Sequence, residues 1–348
     1  MTRILRAFAV RPGRGGGLAL TLKRTPVRPI RRILVAVKDP GTPALPAVAK
    51  GARIAQACGA HLELFHALKA SIWAQDATAY ETAMEDLHLT QRQQFIQQLD
   101  RIAARLRLHG IHASTAVEYD YPAHEAIIRR AQDTSADLIV AGRSNARLLA
   151  WPTDWELLRH SPTPLLLVRP SGPYRHPAVL AAVDPCHAHS KPGTLDAEIL
   201  GVAEQLTRTL KGKLHVVHAY APIIMGSAAS SVNDGIAARL DGIAAADART
   251  GFEQLLAQYS VPRAQRHLVG ELPVTAINTV ARRVRARIVV MGALARSGLE
   301  RLIIGNTAEK LMDELPCDIL AVKPTGFECH IRAQPAGPRL RTGGLLHP

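Results

Sequence analysis

The chain has 348 residues, enough for two domains that each bury their own core. It is 47% hydrophobic but only 4% aromatic, which predicts a core of Ala, Leu, Ile and Val suited to buried parallel strands and covering helices. The net charge of +14 lies mostly in the tails: residues 1–32 hold nine Lys or Arg and no acid, and residues 325–348 add +2, which leaves +3 for residues 33–324. A nearly neutral body argues against a nucleic-acid surface, so we do not expect nucleic acid as a partner.

Cysteine usage and hydropathy predict a cytoplasmic protein without a membrane partner. The four cysteines are far apart and form no C-x-x-C motif, which suits a reducing compartment. No apolar run approaches the roughly 18 residues of a membrane-spanning helix. Arg6 interrupts the short apolar stretch near the N-terminus, so residues 1–30 are interpreted as a basic disordered leader rather than a secretory signal.

Four sequence blocks occur twice in the same order, which indicates an internal duplication. The matched blocks are 31–40 with 177–186, 61–70 with 213–222, 136–145 with 286–295, and 152–170 with 306–324. The predicted organisation is a leader at 1–30, a first domain at 31–170, a linker at 171–177, a second domain at 178–324, and a disordered tail at 325–348.

Within each copy, short runs rich in Val, Ile and Leu alternate with segments of helical spacing. In the first copy the runs are 33–37, 62–68, 137–141 and 165–169, and the helical segments include 45–58, 86–108, 124–132 and 154–160. This pattern predicts an α/β fold of two tandem, Rossmann-like, five-stranded parallel sheets with strand order 3-2-1-4-5. The apolar last strands, 164–170 and 318–324, would be exposed edges, so we expect them to cover each other and make the chain an intramolecular pseudo-dimer. A homodimer of the whole chain is then optional.

Glycines in the second copy mark a candidate anion-binding loop. Gly292 directly follows a buried run, where a glycine allows a tight turn and a close approach to a ligand. Gly305 directly precedes a helical segment whose first N–H groups point outward, and Asn306 and Thr307 supply polar side chains at its start. Asp184 ends the first strand of the same copy, so it should face the same crevice.

The segment ARSGLERLIIGNTAEKL resembles the phosphate loop of the universal stress protein family. The ATP-binding branch of that family has glycine, two residues, glycine, nine residues, then glycine followed by Ser or Thr, and an Asp after strand one. Here Ala295 replaces the middle glycine and Asn306 replaces the hydroxyl residue, while the spacing is complete. The resemblance covers roughly residues 31–324 and implies adenine nucleotide alpha hydrolase-like domains. It implies an ATP or other adenine nucleotide site, with Mg²⁺ only as the companion of ATP, formed by Asp184, Ala219, Met291, Gly292, Ala295, Arg296, Gly305, Asn306 and Thr307.

The first copy lacks these features. Lys38 stands opposite Asp184, the loop after Gly142 is shorter, and Trp151 stands where the second copy has Gly305. A degenerate first copy with a PTDW segment resembles the tandem, E-type members of the family. We therefore expect the first copy to be structural or to hold an apolar ligand.

Other motifs are interpreted as structural. Cys186, His187 and His189 are close enough in sequence to suggest zinc, but no partner pair at metal spacing follows, so no metal is expected. Ser144 follows a strand as in a nucleophile elbow, with Asp154 and His160 downstream, yet a loop serine is the simpler interpretation. His66 and His218 recur at one strand position, which favours packing. Residues 221–247 are rich in small residues and are interpreted as a mobile flap or a plain loop.

Together these patterns predict a stress-response protein that binds a small ligand without catalysis. No catalytic residue is identified, and G-x-x-x-x-G-K-[ST] is absent from the sequence, so the chain is not a P-loop NTPase. The alternatives are a slow ATPase that uses the same crevice and a carrier of an apolar ligand or lipid. A protein partner in stress signalling is a further expectation.

Overall fold

The structure is a computed structural model in which each copy, termed the first or second repeat, forms an α/β unit. It describes residues 28–68, 81–144, 152–186, 194–221, 231–293, 295–296, 303–304 and 306–331. None of the helices among these residues is long and apolar enough to cross a bilayer.

The first repeat alternates strands and helices as its sequence pattern predicts. Its elements are β1 (Arg32–Ala36), α1 (Pro46–Cys58), β2 (His61–Leu68), α2 (Glu81–Leu108), β3 (Ala113–Tyr119), α3 (Ala123–Asp133), β4 (Leu138–Gly142), α4 (Thr153–His160) and β5 (Leu165–Val168).

The second repeat follows the same order, and a small hairpin is described before its last helix. Its elements are β6 (Ala178–Val183), α5 (Leu195–Thr209), β7 (Lys213–Ala219), α6 (Ser231–Leu256), a 3₁₀ turn (Arg263–Gln265), β8 (Arg266–Val269), α7 (Pro273–Arg283), β9 (Ile288–Gly292), β10 (Ala295–Arg296), β11 (Ile303–Ile304), α8 (Asn306–Glu314) and β12 (Asp318–Val322).

Both repeats have the predicted strand order, and their sheets join into one. The ten strands run β3-β2-β1-β4-β5-β12-β9-β6-β7-β8, so each repeat contributes the order 3-2-1-4-5 counted from its outer edge. All pairs within a repeat's sheet are parallel, and the β5–β12 pair is antiparallel. The expectation that the two apolar last strands cover each other is therefore confirmed.

The β5–β12 register is symmetric with respect to the duplication. Leu166 pairs with Leu320, which is its own counterpart in the second repeat, and Leu165 and Leu167 pair with Ala321 and Ile319. A pseudo-twofold axis therefore passes through the Leu166–Leu320 pair, as expected for two copies of one unit that meet through equivalent strands.

The core consists of two apolar layers, one on each face of the sheet. Strand residues alternate between them: Ile33 and Val35 lie in the layer under α1, α2, α5 and α6, while Leu34 lies in the layer under α3, α4, α7 and α8. This alternation is the period-two pattern of a sheet covered on both faces. The aliphatic composition thus fills a three-layer α/β/α arrangement.

The end of each last strand carries a cation that caps a helix of the other repeat. The Arg169 guanidinium donates to the Leu315 carbonyl, just past α8, at 2.7 Å. Its counterpart Lys323 donates to the Arg159 carbonyl in the last turn of α4 at 3.1 Å. Burial lowers the pKa of Lys323 to about 8. Cations at helix C-termini satisfy carbonyls that lack partners and oppose the helix dipole, so these contacts bind the repeats together.

A buried polar network crosses the junction near the pseudo-axis. The Lys50 ammonium lies 2.5 Å from Asp318, and both side chains are 1% exposed. Asp318 also accepts the Tyr174 hydroxyl at 2.6 Å and the Arg169 backbone N–H at 2.8 Å. Burial lowers the pKa of Lys50, and burial beside the carboxylate raises that of Tyr174 well above its usual range. The network links α1, the linker and β12, with every polar atom of the carboxylate occupied.

One sequence interpretation is wrong. Residues 231–247, taken as part of a flap or loop, form the first part of the continuous helix α6. Their many alanines are the strongest helix formers, so helix propensity prevails where apolar periodicity is weak. Residues 222–230 of the same segment lie outside the described residues.

We predict that Asp318→Asn lowers the free energy of unfolding by about 3–5 kcal/mol in urea titrations at neutral pH, because the Lys50 ammonium would stay buried without an opposite charge. The matched control is Glu204→Gln, which removes the partner of Arg208, a side chain that is 74% exposed. That change should cost less than about 1 kcal/mol. Equal losses in the two variants would contradict a stabilising role for the buried pair.

Candidate functional site

Four of the described candidate residues lie at the carboxyl edge of the second repeat's strands. β6 and β9 are neighbours, and the strand order reverses between them. Asp184 directly follows β6, Ala219 ends β7, and Met291 and Gly292 end β9. Met291 is buried, while Gly292 is half-buried. In open parallel sheets, ligands bind outside the strand ends where the order reverses, so these residues border such a crevice.

Asp184 is a partly exposed acidic group at this edge. Its side chain is 43% exposed, and one carboxylate oxygen lies 3.8 Å from Nδ1 of the buried His218. The Asp184 backbone N–H donates to Asp196 in the first turn of α5 at 3.0 Å. This contact fixes the direction of the chain as it leaves β6, so the Asp184 carboxylate is held at the rim of the crevice.

Two acids at the start of α5 were missed in the sequence. Asp196 and Glu198 are buried, and the Glu198 carboxylate accepts the backbone N–H of Thr325 at 3.1 Å. Acids in the first helical turn are favoured by the helix dipole, and this position was the sequence signal that could have identified them. Both accept backbone donors, so they shape the crevice from within the fold.

The packing of α5 against the end of β9 explains why residue 292 is a glycine. A Cβ at this position would lie 2.8 Å from Cδ2 of Leu195, so the helix α5 occupies the space that a side chain would need. For the counterpart Gly142 in the first repeat, no atom of the described residues lies within 4 Å of the same position. The glycine after β9 is therefore required by the close approach of α5, whether or not a ligand is present.

The candidate loop between β9 and α8 contains a hairpin. Ala295 pairs with Ile304 and Arg296 with Ile303 in antiparallel β10 and β11, and α8 begins at Asn306 with Thr307 in its first turn. β11 lies against α4 of the first repeat. Gly305 lies outside the described residues, as do 294 and 297–302, so its predicted role stays a prediction.

In the first repeat a carboxylate occupies the corresponding helix start. Asp154 lies in the first turn of α4, is 3% exposed, and accepts the Ser144 backbone N–H at 2.8 Å and the Ser144 hydroxyl at 2.5 Å. Lys38 is exposed and Trp155 is buried under α4. Because Asp154 already supplies an anion at the helix N-terminus, a second anion would meet like-charge repulsion there.

The two recurrent histidines have a structural role, as predicted. Nδ1 of His66 lies 2.7 Å from the Val37 carbonyl, and Nδ1 of His218 lies 3.2 Å from the Val183 carbonyl. Each ring also packs near a phenylalanine, Phe95 or Phe252. Burial lowers the pKa of His66, which favours its neutral form. Both rings thus tie the second strand of a repeat to the end of the first.

The alternative motifs do not assemble catalytic or metal sites in the described structure. The Ser144 hydroxyl donates to Asp154, while His160 lies 3.2 Å from Glu156, so no described histidine stands between serine and acid as a nucleophile elbow requires. Among the described residues no three His, Cys, Asp or Glu side chains come together as a metal site. His187 and His189 lie outside the described residues.

Comparison with known proteins identifies the family. The model of the universal stress protein family matches residues 29–169 and again 179–323. The chain therefore belongs to the universal stress protein family, a family of stress-response proteins. With both repeats matched and relatives named universal stress protein E, it is a tandem, E-type member.

Several relatives support this assignment over most of their length. The chain is 27% identical to universal stress protein E of Escherichia coli K12 over 310 residues, covering 85% of this chain and 95% of the relative. It is 28% identical to the Photorhabdus laumondii protein over 230 residues, 64% and 73% of the two chains.

Among solved structures, a functionally unknown protein from Pseudomonas aeruginosa PAO1 has a TM-score of 0.63 at 28% identity, with 85% and 93% of the chains covered. A universal stress protein from Archaeoglobus fulgidus has a TM-score of 0.56 at 16% identity, with 84% and 98% covered. The second match shows a shared fold.

We predict that Gly292→Ala destabilises the protein by about 1–3 kcal/mol in urea unfolding, because the added methyl would overlap Leu195. Gly142→Ala is the matched control and should be nearly neutral. In the double variant Gly292→Ala/Leu195→Ala, the two losses should be less than additive, since the smaller side chain makes room for the methyl. Simple additivity would contradict this packing account of Gly292.

Proposed function

We propose that the second repeat binds an adenine nucleotide, with ATP as the first candidate, and that it does so without efficient turnover. The observation that carries this proposal is that Asp184 and Gly292 lie at the ends of the two strands, β6 and β9, between which the strand order reverses, with Ala219 at the end of the neighbouring β7; β9 leads through the hairpin to α8. The spacing from Gly292 to Thr307 resembles the loop of the family's ATP-binding branch.

The acidic side of the crevice suits the nucleoside end of such a ligand. A carboxylate accepts hydrogen bonds from ribose hydroxyls and from the adenine amino group, but it repels phosphate. The Asp184 side chain is 43% exposed, whereas Asp196 and Glu198 are buried and already accept backbone N–H groups. We therefore assign Asp184 to the nucleoside and Ala219, at the end of β7, to the backbone beside the base.

The start of α8 suits the phosphate end. The first N–H groups of a helix lack intrahelical acceptors and carry the positive end of the dipole, so they bind anions. Asn306 and Thr307 are the first residues of α8. Ala295 belongs to β10, and extended backbone has negative φ, so its methyl group causes no conformational strain there. In this proposal Arg296 and Gly305 complete the phosphate contacts, with Met291 and Gly292 beneath them.

The first repeat is proposed to play no part in nucleotide binding. Lys38 replaces the nucleoside-binding carboxylate, and the buried Asp154 holds the start of α4, where a phosphate would otherwise bind. The two repeats thus share a backbone plan but differ in charge at equivalent places: Lys38 is opposite Asp184, and Asp154 is opposite the neutral Ala308. This difference supports one nucleotide per chain.

Binding rather than catalysis is proposed because, in the part of the chain that the structure describes, no general base is identified beside the expected phosphate position. Mg²⁺ would enter with ATP as its counterion, and the described residues form no metal cluster of their own. A slow ATPase that uses the same crevice is the alternative within this class. In the described structure Cys58, Cys317 and Cys329 are thiols, which supports a proposed cytoplasmic location.

An apolar ligand is the second candidate function. Leu240 and Ile243 on α6 are 44% and 57% exposed, which is unusual for large aliphatic side chains close together on one helix. Native mass spectrometry of protein purified from its own cells separates the candidates, since it yields a nucleotide mass, a lipid mass or the bare chain. A protein partner in stress signalling stays an expectation.

We predict that Asp184→Ala weakens binding of Mg–ATP by at least about tenfold in titration calorimetry, because one charged hydrogen-bond acceptor is lost. Lys38→Ala, the change at the counterpart position, should leave the affinity and the stoichiometry of one unchanged. Two equal sites in the wild-type chain, or equal effects of the two substitutions, would overturn the assignment to the second repeat.

We predict that Ala295→Gly/Asn306→Ser, which restores the pattern of the ATP-binding branch, tightens ATP binding at least tenfold, about 1.4 kcal/mol. Because Ala295 is extended, most of the gain should come from the serine hydroxyl, so the Asn306→Ser single variant is the informative comparison. Should the restored loop bind no better than wild type, the crevice is not built for a triphosphate, and the apolar ligand becomes the first candidate.

A further inference from the structure

A set of cations lies at the amino ends of the strands in the second repeat, at the opposite edge of that sheet from the proposed nucleotide crevice. We call this set the basic rim; its members are Lys211, Lys213, Arg283, Arg285 and Arg287. They flank or begin β7 and β9, and all except the half-buried Arg287 are exposed. The sequence-based expectation against nucleic acid rested on the net charge of residues 33–324. A net charge does not show whether the cations are clustered on one surface.

The first repeat provides an internal comparison. The counterparts of the five rim cations are Gly59, His61, Asp133, Ser135 and Asp137, a set with two acids and no permanent cation. The turns themselves are alike: the Gly212 N–H donates to the Thr207 carbonyl at 2.8 Å, and the Ala60 N–H donates to the Ala55 carbonyl at 3.0 Å. The same turns thus form with the rim cations in the second repeat and with their counterparts in the first, so the fold does not require the cations.

Two of the cations occupy backbone positions that disfavour a side chain. Lys211 and Arg285 have φ of 53° and 52°, and their counterparts Gly59 and Ser135 have φ of 67° and 50°. The left-handed region favours glycine, because a Cβ is crowded there. Cations near helix C-termini are favoured by the dipole, but α1 ends in the same turn with no basic residue in its last turn, and the basic residue in the last turn of α3, Arg130, is paired with Glu63 and Glu118. Formation of the turn therefore does not explain why residues 211 and 285 are cations, which indicates that their charges have another function.

The rim is continuous across three neighbouring strands. The Lys213 N–H donates to the Pro177 carbonyl, and the Arg287 N–H donates to the Ala178 carbonyl, both at 2.9 Å. These contacts place the two cations on either side of β6. Adjacent strands lie about 4.8 Å apart, so their backbones are separated by roughly 10 Å.

The positive charge of the rim is not cancelled locally. Among the described residues, no carboxylate forms an ion pair with any rim cation, while the ion pairs of neighbouring cations are Arg208–Glu204 and Arg266–Glu253. The Arg287 guanidinium donates to the neutral Gly172 carbonyl at 2.7 Å, and Arg283 donates to Nδ1 of His267 at 3.0 Å. The rim is therefore a net positive surface.

We propose that the basic rim binds the phosphodiester backbone of nucleic acid without reading its sequence. Closely spaced cations without neutralising acids attract a polyanion, and phosphate contacts alone carry no sequence information. A membrane surface fits less well, because amphipathic membrane sites add apolar anchors to their cations. None of the large apolar side chains exposed in the described structure lies on the rim.

The test variant is Lys211→Gly/Arg285→Gly, which removes two rim charges and places glycine where the backbone favours it. Fluorescence anisotropy with a short random-sequence DNA duplex is measured over a series of salt concentrations on the full chain. The variant should bind at least about tenfold more weakly at low salt, and the slope of log K against log salt should fall by about two, since each lost phosphate contact contributes about 0.9. Thermal unfolding should show the variant to be as stable as wild type or more stable.

The matched control is Arg239→Gln/Arg249→Gln, which removes the same net charge from exposed positions on α6 and should bind like wild type. The basic leader is present in every variant, so differences report the rim. Equal binding by the test variant and wild type, or no duplex binding by wild type, would overturn the proposal. It is also overturned if the test variant loses binding only to vesicles of phosphatidylcholine and phosphatidylserine, which would assign the rim to a membrane.

Discussion

The antiparallel pairing of β5 with β12 is the contact on which the remaining architecture depends. Each strand is apolar and ends its repeat, and either one alone would leave an exposed edge able to pair with another chain. Their pairing converts two edges into the centre of one sheet, with Leu166 and Leu320 at the pseudo-axis. Because the strands run in opposite directions, the carboxyl edges of the two repeats face opposite ways, and the two crevices cannot share a ligand.

Apart from the loop before the last helix, the repeats differ mainly in side chains where both are described. His66 and His218 make the same contact to the preceding strand, so this part of the plan is common to both. At the helix that follows the fourth strand, in contrast, Asp154 supplies a carboxylate in the first repeat, while α8 begins with neutral residues in the second. In folds of this kind the binding site is determined by such local substitutions. The fold alone therefore does not identify the function.

Sequence patterns predicted the fold well because strand and helix periodicity is local and because the duplication provided each element twice. The polar network was not predictable in this way. Lys50 and Asp318 are 268 positions apart, and a lysine in an amphipathic helix normally indicates a solvent-facing position. The role of Leu195 at Gly292 is likewise a contact between distant elements. Helix α6 was missed for another reason, since its small residues leave little apolar periodicity to detect.

The buried pair of Lys50 and Asp318 illustrates how a tandem chain differs from a symmetric homodimer. In a symmetric homodimer every side chain near the axis occurs twice, so a buried acid at the junction would be accompanied by a second buried acid, and each would need its own buried cation. Here the counterpart of Asp318 is Pro164, which carries no charge. Fusion of the two units into one chain removes the requirement that both halves change together. A single ion pair can then be placed on one side of a junction that, in a symmetric dimer, would have to carry the same pair twice.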